Sequence, residues 1–402
     1  MTTARERRKI LSAGGFAHFV HDGLSDAVFV LLPLWASGFG LSHAQVGILK
    51  TCMSSTLAAG QVPAGFVAER LGERAVLALG TGLAGLGFVA LAVADDFLML
   101  AAFLCLAGIG CSTQHPLASA LVSKAYAAGG RRGALGIYNF SGDLGKVATP
   151  IGIATIAGWA GWQTGVVVYG VVGAVAGAAI YFALRRLGAG APPPSAPATA
   201  EARPQDSGLG WGVRDRRGFS ILSAIACIDT SARIGFLTFA PFLLIEKGAA
   251  TESVGFALTL ILAGGAAGKL VCGFVADRVG ILRTVVLTEL ATAGLIAAVI
   301  VLPLVPALVV LPVLGVALNG TSSVLYGTVG DFVDPARQAR AFGLFYTLSI
   351  GASAVAPVLY GLLGDFAGLT TALAVLAAGV LTILPLAFAL RAPLAAAETA
   401  AE

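Results

Sequence analysis

Apolar residues run along this chain in blocks of about 20 or more, parted by short polar stretches, with no strict alternation and no confinement to one helical face. Blocks of that length match the roughly 20 residues with which an α-helix crosses the hydrocarbon core of a bilayer. A membrane β-barrel would alternate apolar and polar positions, so the pattern predicts helices. Twelve spans are expected, over residues 10–38, 43–68, 75–94, 97–123, 133–158, 161–184, 219–246, 252–276, 283–302, 306–330, 340–363 and 369–390. One long polar, Pro-rich stretch interrupts them, from Arg185 to Gly218. The expected organisation is a six-helix bundle over 1–184, a cytoplasmic linker over 185–218 and a second bundle over 219–402. The first span is too long for a signal-peptide core and carries His18, Asp22 and Asp26, so it is expected to remain in the mature protein.

Composition narrows the class. Hydrophobic residues make up 57% of the chain and charged residues 11%, against about 25% charged in soluble domains. A soluble enzyme, a nucleic-acid binder and a disordered scaffold are all excluded by that deficit. The positive-inside bias then orients the chain. With the first span starting inside, Arg5, Arg7, Arg8, Lys9, Arg70, Arg74, Lys124, Arg131, Arg132, Arg185, Arg186, Arg203, Arg214, Arg216, Arg217, Arg278, Arg283, Arg337, Arg340 and Arg391 fall in the cytoplasm, which is twenty of the 25 cations. Only Lys247 falls outside, and Lys50, Lys146, Arg233 and Lys269 stay within spans. The expected location is a bacterial-style inner (plasma) membrane, multi-pass, with both termini cytoplasmic. The net charge of +4 reflects this bias and implies no nucleic-acid partner. The five cysteines lie in apolar spans without metal-type spacing and read as packing residues. A monomer without cofactor or resident metal is expected.

Self-similarity sets the architecture. Gly65-Phe-Val-Ala-Glu-Arg-Leu-Gly72 recurs as Gly273-Phe-Val-Ala-Asp-Arg-Val-Gly280 at an offset of 208, with six of eight positions identical. The same offset pairs Pro33 with Pro241, Val46-Gly47 with Val254-Gly255, and Gly60 with Gly268; an offset of 207 pairs Gly136 with Gly343 and Pro150 with Pro357. An even number of spans per copy inserts both copies in the same orientation, so the predicted fold is all-α, with twelve transmembrane helices in two six-helix bundles related by a pseudo-two-fold axis along the membrane normal.

The duplicated Gly-x-x-x-Asp-Arg-x-Gly loop after the second span of each half resembles the signature loop of the major facilitator superfamily. Within it, His18-Phe-Val-His21-Asp22 and Gly108-Ile-Gly110-Cys111-Ser112-Thr113-Gln114-His115-Pro116-Leu117 are similar to elements of the first and fourth spans of fosmidomycin-resistance-type drug exporters. His21 stands for that group's Asn, Gln114 for its Phe and Leu117 for its Glu. The resemblance implies a secondary transporter working by alternating access, and export rests on it alone.

Ionisable residues within spans need a partner, a wet cavity or a function. His18 and Asp22 share a face of the first helix with Asp26, and Asp22 is roughly 18 Å in from Ile10. Burial shifts carboxyl and imidazole affinities toward each other, so His18, Asp22, His115 and Asp143 are the candidate proton-coupling groups. Asp143 and Lys146, three apart, read either as an intrahelical ion pair or as a substrate cation with a switchable counter-ion. Asp229 and Arg233 repeat that logic on the seventh span. Lys146 and Arg233, at equivalent depths in opposite halves, are the candidate grip on an anionic substrate, with Asp229 and Asn319 as further binding residues. Glu289 reads as structural, and Lys269 as a gate or snorkelling residue. Gly65, Glu69, Arg70, Gly273, Asp277 and Arg278 form the expected cytoplasmic gate.

Several motifs are declined. Gly80-Thr-Gly82-Leu-Ala-Gly85 fits a dinucleotide pattern but has no strand before it. Gly142-Asp-Leu-Gly145-Lys146 and Gly264-Gly265-Ala-Ala-Gly268-Lys269 have the wrong spacing for phosphate loops and read as small residues for close helix contact. The reading is thus a proton-coupled antiporter exporting a small anionic organic compound or drug, its partners being that substrate, protons and the lipid bilayer. The alternatives are a proton symporter importing an organic acid and, through His18, Asp22 and His115, a metal or metal-chelate transporter. An embedded enzyme is not expected, because the linker is too short and polar to fold a catalytic domain.

Overall fold

The computed structural model describes residues 3–126, 129–192, 211–250, 253–334 and 338–401, so most of the Pro-rich linker lies outside the described residues. The helices are α1 (Ala4–Phe39), α2 (His43–Leu71), α3 (Glu73–Leu91), α4 (Phe97–Cys111), α5 (Gln114–Ala125), α6 (Arg131–Ala160), α7 (Trp162–Arg186), α8 (Arg216–Glu246), α9 (Val254–Val279), α10 (Ile281–Val301), α11 (Leu304–Thr328), α12 (Gln338–Ala367), α13 (Leu369–Leu381) and α14 (Ile383–Ala401). Every expected span coincides with one of these or with a pair. Ten membrane-length apolar segments can be drawn through them. The two expected spans outside that set are α2, which carries Lys50, Gln61, Glu69 and Arg70, and α6, which carries Arg131, Arg132, Asp143 and Lys146.

Two spans are broken in the same way. The fourth divides into α4 and α5 at Ser112-Thr113, and the twelfth into α13 and α14 at Thr382. In both cases a proline, Pro116 or Pro385, is the third residue of the second helix. Proline has no N–H for the carbonyl four residues back and its ring collides with it, so the break falls where the proline is tolerated, in a new first turn.

The duplication is visible in the backbone. Gly72 links α2 to α3 and Gly280 links α9 to α10 as single residues, at φ 84°, ψ 147° and φ 92°, ψ 153°. Gly161 and Gly368 make the α6–α7 and α12–α13 links at φ 82°, ψ 153° and φ 86°, ψ 151°. Side chains with a Cβ avoid that region. The last glycine of the repeated signature is therefore a requirement of the turn.

The chain divides into two compact units, Met1–Leu41, Ile48–Arg203 and Thr251–Phe256 in the first, Ser42–Gly47, Pro204–Ala250 and Ala257–Glu402 in the second. In the first, α1 packs along α6, and α3 along α7 and α4; in the second, α8 packs along α12 and α10 along α11. Glycines make the closest approaches: Gly145 of α6 lies against the Phe19 backbone of α1, and Gly264 and Gly268 of α9 against the Pro312 and Val316 carbonyls of α11. The two phosphate-loop look-alikes are thus helix contacts.

Candidate functional site

Three helices of the first unit meet around one carboxylate. α1 contributes His18 and Asp22, α5 contributes His115, and α6 contributes Asp143 and Lys146. His18 Nε2 is 3.0 Å and Lys146 Nζ 3.1 Å from Asp22 Oδ2, while His115 Nε2 is 3.7 Å from Asp22 Oδ1. Lys146 Nζ is also 3.7 Å from Asp143 Oδ1. His18 and Asp22 are buried, whereas the His115 side chain is 42% exposed and forms the open edge. The break before α5 puts His115 in a first turn.

Hydrogen-bond accounting places a proton. His18 Nδ1 is 2.9 Å from the Tyr138 carbonyl oxygen, which can only accept, so Nδ1–H donates. Nε2 then faces Asp22 Oδ2, and two lone pairs at 3.0 Å need a proton between them. Either His18 is an imidazolium or Asp22 is a carboxylic acid. His21 differs: the Thr81 hydroxyl donates to the Leu77 carbonyl at 2.7 Å and accepts from His21 Nε2 at 2.7 Å, which leaves Nδ1 without a hydrogen-bond partner among the described residues. His21 is neutral in this arrangement.

Gly142 permits the cluster. A Cβ there would be 2.5 Å from His18 Nε2 and 2.8 Å from Asp22 Oδ2. The supports that sequence reasoning missed are Tyr138, whose ring lies 4.3 Å from that of His18, and Gln114, whose Nε2 donates to the Tyr138 hydroxyl at 2.6 Å. Lys50 was visible as a cation in a span but not its setting, over the Phe29 ring at 4.0 Å with Nζ donating to the Ser25 carbonyl at 3.4 Å.

In the second unit, Asp229 is buried and hydrogen-bonds with Glu289 of α10. Arg233, one turn along α8, is beyond ion-pair distance of Asp229, with Nε buried and without a hydrogen-bond partner among the described residues. The expected Asp229–Arg233 pair is thus replaced by a carboxyl–carboxyl contact, and Glu289 is part of it. Asn319 Nδ2 donates to the Gly315 carbonyl of its own helix at 3.2 Å and packs over Gly265. A separate cavity of about 690 Å3 at the start of α8 is lined by Trp211, Arg214, Arg216, Ser223, Cys227 and Asp334 among others. No sequence signal marked it. Among the expected gate residues, Gly65 and Gly273 each lie six residues before their helix ends, and Glu69, Arg70 and Arg278 are exposed at those ends without an ion pair among the described residues; the Asp277 side chain lies outside them. Lys269 is half-buried on α9, and its carbonyl accepts from the Ser323 hydroxyl at 3.2 Å.

The family model for the Major Facilitator Superfamily matches residues 14–311 and 219–402, which together cover nearly all of the chain. The chain belongs to the major facilitator superfamily. Its fold and relatives are those of multi-pass membrane transporters. It is 28% identical over 156 residues to the fosmidomycin resistance protein of Escherichia coli (strain K12), a match covering 39% of this chain and only 38% of that relative. It is 27% identical over 327 residues to the 3-(3-hydroxy-phenyl)propionate transporter of the same organism, covering 79% of this chain and 76% of the relative. Among solved structures, a bacterial homologue of the human lysosomal transporter Spinster, inward-facing and unoccupied, aligns over 97% of this chain and 98% of its own at a TM-score of 0.80 and 17% identity. The nucleoside transporter NupG aligns over 96% of this chain and 99% of its own at 0.75 and 13%. At those identities the two structures speak for the fold alone.

Proposed function

We propose that this major facilitator protein is a proton-coupled secondary transporter of a small anionic organic compound, working by alternating access. The observation that carries the reading is the crowding of Asp22 by His18, His115 and Lys146. While Asp22 is ionised, Lys146 is neutralised by Asp22 and Asp143. A proton on either carboxylate leaves the ammonium short of counter-charge, and an anion can supply it. Arg233, with an unpartnered Nε, is the second cation offered to the substrate. Fosmidomycin, a phosphonic acid, and 3-(3-hydroxyphenyl)propionate, the compounds in two relatives' names, are both anions at neutral pH.

The sense of the linkage bears on direction. If protonation frees Lys146, proton and anion favour each other's binding, and co-binding is what a symporter needs. That linkage, with the longer match to an organic-acid transporter, supports symport; the similarity to the fosmidomycin resistance protein supports antiport and export. Proteoliposomes separate them. With 3-(3-hydroxyphenyl)propionate and fosmidomycin as probes, symport accumulates substrate when the outside is acid and antiport when the inside is acid. Indifference to both gradients overturns proton coupling. Asp22→Asn, neutral like the protonated acid, is expected to keep substrate binding and lose its pH dependence together with gradient-driven accumulation. Transport left intact in both Lys146→Gln and Arg233→Gln would refute an anionic substrate.

The metal reading is disfavoured by charge. His18, Asp22 and His115 do bring ligand atoms within 4.8 Å of one another, but the Lys146 ammonium is already 3.1 Å from the same carboxylate and repels a divalent cation. Both termini are proposed to be cytoplasmic, and reporter fusions to either end active only inside the cell are the expected result.

A further inference from the structure

The second unit holds two buried acids that the scheme above does not use as a pair. Asp229 on α8 is 3% exposed and Glu289 on α10 is 1% exposed, and their side chains hydrogen-bond to each other. Glu289 also hydrogen-bonds with Thr321 of α11, whose hydroxyl lies 2.8 Å from that of Thr288. One oxygen of each carboxyl, Asp229 Oδ2 and Glu289 Oε1, is buried without a hydrogen-bond partner among the described residues.

Carboxylates only accept hydrogen bonds, so two of them can bond to each other only if one carries a proton. Two unprotonated carboxylates in contact, each with a buried oxygen that no protein donor reaches, would combine like-charge repulsion with the desolvation of both. The surrounding charge agrees. Arg233 is the cation facing Asp229; α13 carries no titratable side chain, the charges of α12 lie near its ends at Arg340 and Asp365, and Arg391 lies well along α14. Of the tyrosines on neighbouring helices, Tyr326 and Tyr346 stack at 4.8 Å and Tyr360 covers Gly235. One arginine and a carboxyl pair with one proton sum to zero charge, whereas no other protonation of the pair does.

We propose that Asp229 and Glu289 form a proton-binding carboxyl pair, so that the second unit carries a proton site of its own, separate from the one at His18 and Asp22. The pair uses residues of the second unit alone and stands whether or not the anion reading or proton coupling at Asp22 holds.

Infrared spectroscopy of the full-length protein in lipid tests it directly. In an Asp22→Asn background, which removes the first unit's buried acid, a protonated-carboxyl C=O band is expected at neutral pH, shifting down in D2O. Glu289→Gln in that background is expected to lose the band, because Asp229 is then left ionised opposite Arg233; the amide has the shape of the protonated acid, so the fold is expected to survive. No such band at neutral pH before the second substitution overturns the proposal, and that measurement does not depend on Glu289→Gln folding. A band unchanged by Glu289→Gln overturns it as well. Transport data play no part, so failure of the proposed function would leave this result readable.

Discussion

Around Asp22, the side chains that do the chemistry were easier to read from the sequence than the ones that permit it. His18, Asp22, His115, Asp143 and Lys146 stood out because ionisable groups are rare and expensive in apolar spans. That the first and third of them converge on one carboxylate depends on a helix break and on a missing side chain, neither of which has a charge to announce it. Gly142 provides the test. Its Cβ would intrude on His18 Nε2 and Asp22 Oδ2, so Gly142→Ala is expected to cost about 1–3 kcal/mol in thermal unfolding and to abolish gradient-driven transport. Gly136, on the same helix with open space around its Cα, is the control. Gly136→Ala is expected to be neutral or to stabilise by about 0.5–1 kcal/mol with transport intact, since alanine only removes backbone freedom there. Equal effects of the two substitutions would mean that helix propensity, not access to the cluster, is being measured. Glu289 shows the opposite failure: its charge was visible, but the three-or-four spacing rule pairs residues only along one helix, and its partner is on another.

Helices are legible in proportion to how far their signal is local. All twelve spans follow from the length of apolar blocks, and the breaks at Ser112-Thr113 and Thr382 each end three residues ahead of a proline in plain view. A periodicity argument passes over them because a proline in a first turn leaves the apolar pattern intact. Pro116→Ala restores the missing N–H and is expected to rejoin α4 to α5, with unchanged or higher thermal stability but weaker pH coupling as His115 turns away from Asp22; full coupling would show that the break is incidental. The single-residue turns make a second prediction at this scale. At Gly280 nothing among the described residues crowds a Cβ, so Gly280→Ala isolates the backbone conformation and is expected to cost about 1–3 kcal/mol. Gly72→Ala is expected to cost more, because a Cβ there would also lie 2.6 Å from Pro192 N and 2.7 Å from the Gly190 carbonyl. The reverse order would place the strain elsewhere than in the turn.

Over the whole chain, the duplication that organises the sequence is crossed by two short segments. Ser42–Gly47, at the start of α2, belongs to the second unit, and Thr251–Phe256, at the start of α9, to the first. Gly47 and Gly255, already paired by the repeat, mark the two places: Gly47 lies against the Pro357 and Val358 backbone of α12, and Gly255 against the Ala154 side chain of α6. Sequence similarity within the chain finds such pairs but says nothing of which unit each packs into. In the second unit the segment is fastened by charge. Asp365, at the end of α12, accepts from the His43 and Ala44 amides at 2.8 and 2.9 Å and is 3.0 Å from His43 Nδ1, across 322 residues of sequence. It acts as an N-cap supplied from a distant helix, satisfying donors that the first turn of α2 cannot pair and favoured there by the helix dipole. Removing a cap typically costs about 0.5–2 kcal/mol, and Asp365→Ala is expected to fall in that range by thermal unfolding. Asp365→Asn keeps an accepting oxygen and is expected to recover part of the loss. The amide exchange of His43 and Ala44 separates this from a general loosening: it should rise in Asp365→Ala while the interior of α2 stays protected. If exchange rose uniformly along α2, or not at all, Asp365 would not be the group that holds this segment in the second unit.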